Sequence, residues 1–195
     1  LIHATFGNRR MVSLEIDDSV LTRQRINRPH SAVKLAQKST GQFAECYSPT
    51  KTPIIVWFDY STTDWKQQVS ECCELLTKLP PASIFKVTLS GSRKKYASLE
   101  VMARELSRTF EDYGPFSAQD VHSNNICETL YRRVFRRAIA EAVPDTAQHC
   151  VRSLASYCYN DGTPIVTITM IVGSIDQVEE IIRLADLRKW FFADI

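Results

Sequence analysis

The chain has 195 residues, a mass of 22.2 kDa and a formal net charge of +2 at pH 7. Hydrophobic residues make up 44% of it and charged residues 24%, a balance typical of a globular domain and unlike that of a disordered chain. The small net charge does not point to nucleic acid or an acidic membrane as a partner. No apolar run approaches the roughly 18 residues of a membrane span, and no signal peptide opens the sequence, so we expect no membrane partner.

The six cysteines form no CxxC pair and have no zinc-ligand spacing with the four histidines, so we expect no metal site. Cys72 and Cys73 lie inside a helical pattern, where an unpaired cysteine behaves as a small hydrophobic residue. We therefore expect free thiols and a reducing, cytoplasmic compartment.

The first quarter of the sequence predicts alternating helices and strands. In chain order these are the end of a helix at 1–8, a strand at 11–17, a helix at 20–26, a strand at 31–37 and a helical turn at 42–47. The strand at 11–17 ends in acidic residues.

Residues 53–60 (PIIVWFDY) form a short apolar run that ends on a carboxylate. Such a run is typical of a strand buried on both faces at the centre of a parallel sheet. Ligands of these sheets bind outside the carboxyl ends of the strands, which makes Asp59 and Tyr60 candidate site residues. The equally weighted alternative is that Asp59 only ends the strand and begins a turn.

The rest of the sequence continues the alternation and then changes it. We predict a helix at 65–79, a strand at 83–89, a helix at 96–110 and a long helix that Asn124 or Asn125 caps and that ends at Val143.

Two β-rich runs at 151–159 and 164–172 then flank Asp161-Gly162, the strongest short-range signal of a hairpin. Ser174 and Gln177 form a capping box that begins a last helix. The element order predicts an α/β, Rossmann-like fold with a mostly parallel sheet, a C-terminal antiparallel hairpin and helices on both faces.

This order resembles that of the class I S-adenosylmethionine-dependent methyltransferases. Residues 11–17 (MVSLEID) resemble the second strand of that family, whose terminal acid holds the ribose hydroxyls of the cofactor. The match implies Glu15 as the ribose ligand, or Asp17 if the register slips by two. Residues 54–60 resemble the fourth strand, which implies that Asp59 orients or deprotonates the methyl acceptor and that Tyr60 packs on it.

The sequence also departs from the family pattern. The glycine-rich loop that follows the family's first strand is absent, so we expect a single domain over 1–195 whose first strand and loop would precede Leu1. Residues 59–62 (DYST) differ from the Asp/Asn-Pro-Pro-aromatic motif of amino methyltransferases, which weakens the case for transfer to a base nitrogen. The implied function is S-adenosylmethionine-dependent methyl transfer to an unidentified acceptor. The alternative is an inactive binding or assembly subunit of a larger complex.

Two further surfaces could bind partners. The long predicted helix carries four arginines opposite its apolar residues: Arg132, Arg133, Arg136 and Arg137. A solvated basic face is favoured over a strip that binds nucleic acid. The aromatic cluster at 190–192 is expected to pack on the sheet; exposed, it would mark a protein or oligomer interface.

Overall fold

The structure, a computed structural model, describes residues 11–27 and 33–184. The helix end predicted at 1–8 and the aromatic cluster at 190–192 lie outside these residues. The chain separates into two compact units, Leu1–Cys46 and Tyr47–Ile195, which are described in turn. In the described ranges, no helix combines the length and the apolar character that crossing a membrane requires. The prediction of one domain over 1–195 stays a prediction.

The first unit contains a two-stranded parallel sheet. Its elements are β1 (Met11–Leu14), α1 (Asp18–Asn27), β2 (Val33–Ala36) and α2 (Thr40–Cys46). Met11 pairs with Val33 and Leu14 with Ala36, so the two strands run in register over their whole length. The four elements predicted after the helix end at 1–8 are all present, with bounds shifted by a few residues.

The second unit contains the larger sheet and most of the core. Its strands are β3 (Ile55–Asp59), β4 (Ser83–Ser90), β5 (Cys150–Asn160) and β6 (Pro164–Gly173). Its α-helices are α3 (Trp65–Leu76), α4 (Leu99–Thr109), α5 (Ile126–Glu128), α6 (Arg136–Ala142) and α7 (Ile175–Leu184). A π-helical segment, Thr129–Phe135, joins α5 to α6.

The strand order of this sheet is β3-β4-β6-β5. β3 and β4 are parallel, whereas β6 is antiparallel to both of its neighbours. The hairpin therefore occupies one end of the sheet, with β5 at the edge and β6 inserted next to β4. The α/β class and the C-terminal antiparallel hairpin predicted from the sequence are confirmed.

The turn and the cap predicted around the hairpin are both present. Gly162 has φ +67°, a left-handed conformation that favours glycine, in the turn between β5 and β6. Ser174 Oγ accepts a hydrogen bond from the Gln177 amide at 3.3 Å, and Gln177 Oε1 accepts one from the Ser174 amide at 3.4 Å, which is the reciprocal pattern of a capping box. The hairpin turn and the helix cap are thus each determined by residues that are close in sequence.

Two expectations about local structure are wrong. β3 is not buried on both faces, because Ile55 is 56% and Trp57 53% exposed while the alternate residues Val56 and Phe58 are buried. A continuous apolar run does not distinguish one-sided from two-sided burial, and Trp57 is also stabilised on its open face by Lys86, whose Nζ lies 4.2 Å from the ring centroid.

The second concerns the start of the long helix. Asn125 occupies the N-cap position of α5, but its side chain makes no capping bond. Its Nδ2 instead donates to the Gln119 carbonyl oxygen at 2.9 Å. The predicted continuous α-helix also contains the π-helical turns of residues 129–135, which local sequence does not signal.

Candidate active site

Two acidic residues follow β1 in the first unit, and the structure gives them different roles. Asp17 Oδ1 accepts hydrogen bonds from the amide of Ser19 at 2.8 Å and from that of Val20 at 3.0 Å, and it also binds the Ser19 hydroxyl. Asp17 is therefore the N-terminal cap of α1. The hydrogen bond from the Ser19 hydroxyl, with those from the two amides, lowers the pKa of Asp17 below its usual value.

Glu15 lies directly after β1, at the carboxyl end of a parallel strand. Its amide donates to the Ala36 carbonyl oxygen at 3.1 Å, and its Oε1 accepts a hydrogen bond from the Asp17 amide at 2.9 Å. An ionised carboxylate has about four acceptor sites, so the capacity to accept two hydroxyl donors remains. The acceptor capacity of Glu15 therefore fits a ribose diol, whereas Oδ1 of Asp17 is used in capping α1.

Asp59 is the last residue of β3 in the second unit, and its side chain is exposed. It pairs in register with Thr88 of the parallel strand β4, so it lies at the carboxyl edge of the β3–β4 pair. This is the edge at which parallel sheets bind ligands. The structure thus places Asp59 where the sequence predicted, and its role toward an acceptor stays a prediction.

Tyr60 follows Asp59, and its amide donates to the Thr88 carbonyl oxygen at 3.0 Å. Its phenol donates to Oε2 of Glu71 in α3 at 2.7 Å, and its ring packs edge-on against Phe58 with centroids 5.9 Å apart. The phenol is therefore held by α3. Glu71 was not identified from the sequence. The one feature that could have indicated it is the position of an acidic residue on the otherwise apolar face of a predicted helix.

The segment after β4 is anchored at the same edge of the sheet. The indole Nε1 of Trp65 donates to the Ser90 carbonyl oxygen at 2.9 Å, and the Trp65 ring stacks on Tyr96 with centroids 6.2 Å apart. Nζ of Lys95 donates to the Thr63 carbonyl oxygen at 2.8 Å, which ties this segment to the one after β3. The loops that follow β3 and β4 are thus joined above the edge that carries Asp59.

Gly91 directly follows β4 at a point of close approach. Its amide donates to the Pro164 carbonyl oxygen at 2.7 Å, and a Cβ added here would lie 2.8 Å from Cγ2 of Ile126. Only glycine lets the start of β6 and the buried side chain of Ile126 come this near to the strand end. The hairpin is therefore fixed beside the same edge.

Two arginines of the predicted basic strip bind the segment before it. Arg133 pairs with Asp120 at 2.9 Å and lies over the Phe116 ring at 4.3 Å, and Arg137 donates to the Asp112 carbonyl oxygen at 3.1 Å. Arg132 pairs with Glu128 on its own helix at 3.3 Å. Arg133 and Arg137 are thus used in holding residues 112–120, and binding of nucleic acid through this helix stays a prediction.

This sheet order, in which an antiparallel strand is inserted beside the last parallel pair, defines the class I methyltransferase fold. The family described as "Putative O-methyltransferase" matches residues 1–195, so the chain belongs to that family. No curated protein matches the sequence significantly.

Solved structures with similar folds are only distantly related in sequence. A "putative S-adenosylmethionine dependent methyltransferase" from Listeria monocytogenes is 11% identical, with a TM-score of 0.52 over 86% of this chain and 82% of that one. A "putative rRNA-methylase" from Clostridium thermocellum is 12% identical, with a TM-score of 0.45 over 85% and 73% of the two chains.

LepI in its complex with S-adenosylmethionine is 10% identical, with a TM-score of 0.45 over 88% of this chain. This chain spans 39% of the length of LepI. At these identities the similarity establishes the fold alone, and the Listeria protein carries that argument.

Proposed function

We propose that the protein transfers a methyl group from S-adenosylmethionine to an acceptor bound at the carboxyl edge of β3 and β4. Membership of an O-methyltransferase family over residues 1–195 is the observation that carries this proposal. The Listeria structure of the same fold is described as S-adenosylmethionine dependent, which supports the choice of cofactor. The cofactor supplies the reactive methyl group, and the chain's own residues bind and orient its partners.

In this proposal Glu15 accepts the two ribose hydroxyls, since its carboxylate follows a parallel strand and keeps acceptor capacity. Asp59 orients the acceptor or takes its proton, because its exposed carboxylate ends β3 at the ligand-binding edge. Tyr60 supports that end of the strand through its bond to Glu71, and its ring could also border the acceptor.

The competing function is a catalytically inactive binding or assembly subunit. Neither the family match nor the structural relatives support it. The two functions differ in a direct assay: an enzyme moves radiolabelled methyl groups from S-adenosylmethionine into an acceptor, whereas an inactive subunit does not.

The test is methyl transfer from labelled S-adenosylmethionine to a pool of small-molecule acceptors by the full chain. Asp59→Asn keeps the shape of the side chain but removes its charge, so we expect turnover to fall by about 10²- to 10⁴-fold if Asp59 is the base. Asp112→Asn changes an exposed carboxylate outside the site and is the matched control. Equal turnover in both variants would remove Asp59 from the mechanism, and no labelled product with the wild type would favour the inactive subunit.

We also infer a reducing, cytoplasmic setting. All six cysteines are free thiols, and the thiol of Cys158 is hydrogen-bonded to that of Cys127 without a disulfide between them. Mass spectrometry of the protein prepared from its own cells, alkylated before lysis, tests this: six alkylated thiols are expected, and a native Cys127–Cys158 disulfide would contradict it.

A further inference from the structure

A cleft of about 580 Å³ lies in the second unit between the segment that follows β4 and the turn of the β5–β6 hairpin. Its lining contains two cationic side chains and several hydroxyl groups, and no lining residue is a carboxylate. The residues that matter here are Arg93, Lys94, Ser92, Ser98, Ser123 and Thr163. The volume falls in the range of sites for small molecules, about 300–1,000 Å³.

Within the part of the chain that the structure describes, no acidic side chain pairs with the two cations of this cleft. The side chains of Arg93 and Lys94 are exposed and form no ion pair or hydrogen bond with any residue in 11–27 or 33–184. Lys95 differs, because its Nζ binds the Thr63 carbonyl oxygen and lies 5.2 Å from the Tyr96 ring centroid. Asp161 lies in the hairpin turn between two lining residues but does not itself line the cleft.

The backbone that carries these cations is fixed. The amide of Lys94 donates to Ser92 Oγ at 3.3 Å, and that of Tyr96 donates to the Arg93 carbonyl oxygen at 2.9 Å. The stacking of Tyr96 on Trp65 then holds the segment at the end of β4. Two uncompensated cations on a fixed loop, with hydroxyl donors around them, match an oxyanion in charge and in hydrogen-bonding capacity.

The cleft continues toward the end of β3. Ser92 and Lys94 also line a second recess of about 370 Å³, whose other walls are residues 61–64 and Lys95. Residues 61–64 follow Asp59 and Tyr60 directly, and Asp64 is the one carboxylate of that lining. A molecule whose anionic end lies in the first cleft could therefore extend its other end toward Asp59.

We propose that Arg93 and Lys94 bind the anionic group, a phosphate or a carboxylate, of the small molecule that accepts the methyl group. The identity of that molecule as the acceptor rests on the proposed methyl transfer, whereas binding of the anion does not. Arg93 offers a planar pair of N–H donors to two oxygens of the anion, and Lys94 adds a point charge shared between the two recesses.

The test is a titration of the full chain with phenyl phosphate and, separately, with benzoate, followed by NMR or calorimetry at constant ionic strength. The two probes distinguish a phosphate site from a carboxylate site. Saturable binding of at least one probe is expected. Arg93→Gln and Lys94→Gln should each weaken it by about 10-fold, the effect of losing one charge-assisted hydrogen bond.

Arg104→Gln is the matched control, because Arg104 is an exposed arginine of α4 outside the cleft lining. It should leave the affinity within about 2-fold, as expected for a charge that acts only through screened solvent. Absence of saturable binding by either probe, or equal weakening in the control, overturns the proposal. S-adenosylmethionine is titrated in parallel. If the chain binds an anion probe but does not bind S-adenosylmethionine, the proposed methyl transfer is refuted and the anion site stands.

Discussion

The phenol of Tyr60 donates a 2.7 Å hydrogen bond to Oε2 of Glu71, a residue that is only 7% exposed. Gln67 donates to the other carboxylate oxygen at 2.8 Å. The bond joins the residue after β3 to the middle of α3, and so fixes the direction in which the chain leaves Asp59. A buried carboxylate requires such donors, because its desolvation is otherwise unfavourable.

Tyr60→Phe should therefore lower the free energy of unfolding by about 1–2 kcal/mol, because it removes one donor from the buried Glu71. Tyr157→Phe, which changes a half-exposed phenol on β5, is the matched control and should have little effect. Urea denaturation of the three proteins measures the difference. Unchanged stability in Tyr60→Phe together with reduced turnover would mean that the phenol acts on the acceptor instead of on the fold.

Arg133 is expected to contribute more to stability than the neighbouring Arg136. Arg133 combines an ion pair, a ring contact and a hydrogen bond to the Pro115 carbonyl oxygen, whereas Arg136 is exposed and forms no ion pair, side-chain hydrogen bond or ring contact with the described residues. Arg133→Gln should cost about 1–2 kcal/mol and Arg136→Gln less than about 0.5 kcal/mol. Thermal unfolding of both variants tests this, and equal effects would contradict the assignment of Arg133 to the loop.

Asp120 should make stability depend on pH in the acid range. Burial raises its pKa, but hydrogen bonds from Ser117 and the Arg133 guanidinium outweigh that effect and hold the pKa below its usual value. A carboxylate with a lowered folded pKa stabilises the protein above its unfolded pKa of about 3.9, and this contribution is lost as the pH falls through the folded pKa. Asp120→Asn should flatten the loss of stability below about pH 5. An unchanged slope would contradict the lowered pKa of Asp120.

Cys158 and Cys72 should differ strongly in reactivity. The thiol of Cys158 is exposed, and a hydrogen bond from Cys127 lowers its pKa, whereas complete burial raises that of Cys72. Iodoacetamide should alkylate Cys158 in the native protein and Cys72 only after unfolding. Cys127→Ala should slow the alkylation of Cys158 several-fold, because the thiolate loses its donor. Peptide mass spectrometry measures both rates, and equal alkylation of Cys158 and Cys72 would contradict the structure.

The sequence predicted those parts of the fold that depend on short-range chemistry. Asp161-Gly162 identified the hairpin because few residues adopt the positive φ that its turn requires. The Ser174–Gln177 box identified the start of the last helix for a similar reason. The position of Asp59 followed from a strand that ends on a carboxylate.

The parts that it did not predict depend on contacts between distant residues. That Asp17 caps α1 was not predicted, and Glu15 stays the predicted ribose ligand. The exposure of Ile55 and Trp57 on one face of β3 depends on tertiary packing, which an apolar run in the sequence does not indicate. The cleft is lined by the segment after β4 and by the hairpin turn, which are distant in sequence and are joined by the bond from the Gly91 amide to the Pro164 carbonyl oxygen.

The central claim is that the chain binds S-adenosylmethionine through Glu15, and calorimetric titration of the full chain with that cofactor tests it most directly. The wild type should bind saturably at one site. Glu15→Ala should weaken binding by about 10- to 100-fold or more through the loss of two charge-assisted hydrogen bonds, while Asp18→Ala, an exposed acid in the first turn of α1, should not. No heat of binding at millimolar cofactor would contradict the methyltransferase account, and equal binding by Glu15→Ala would show that another residue holds the ribose.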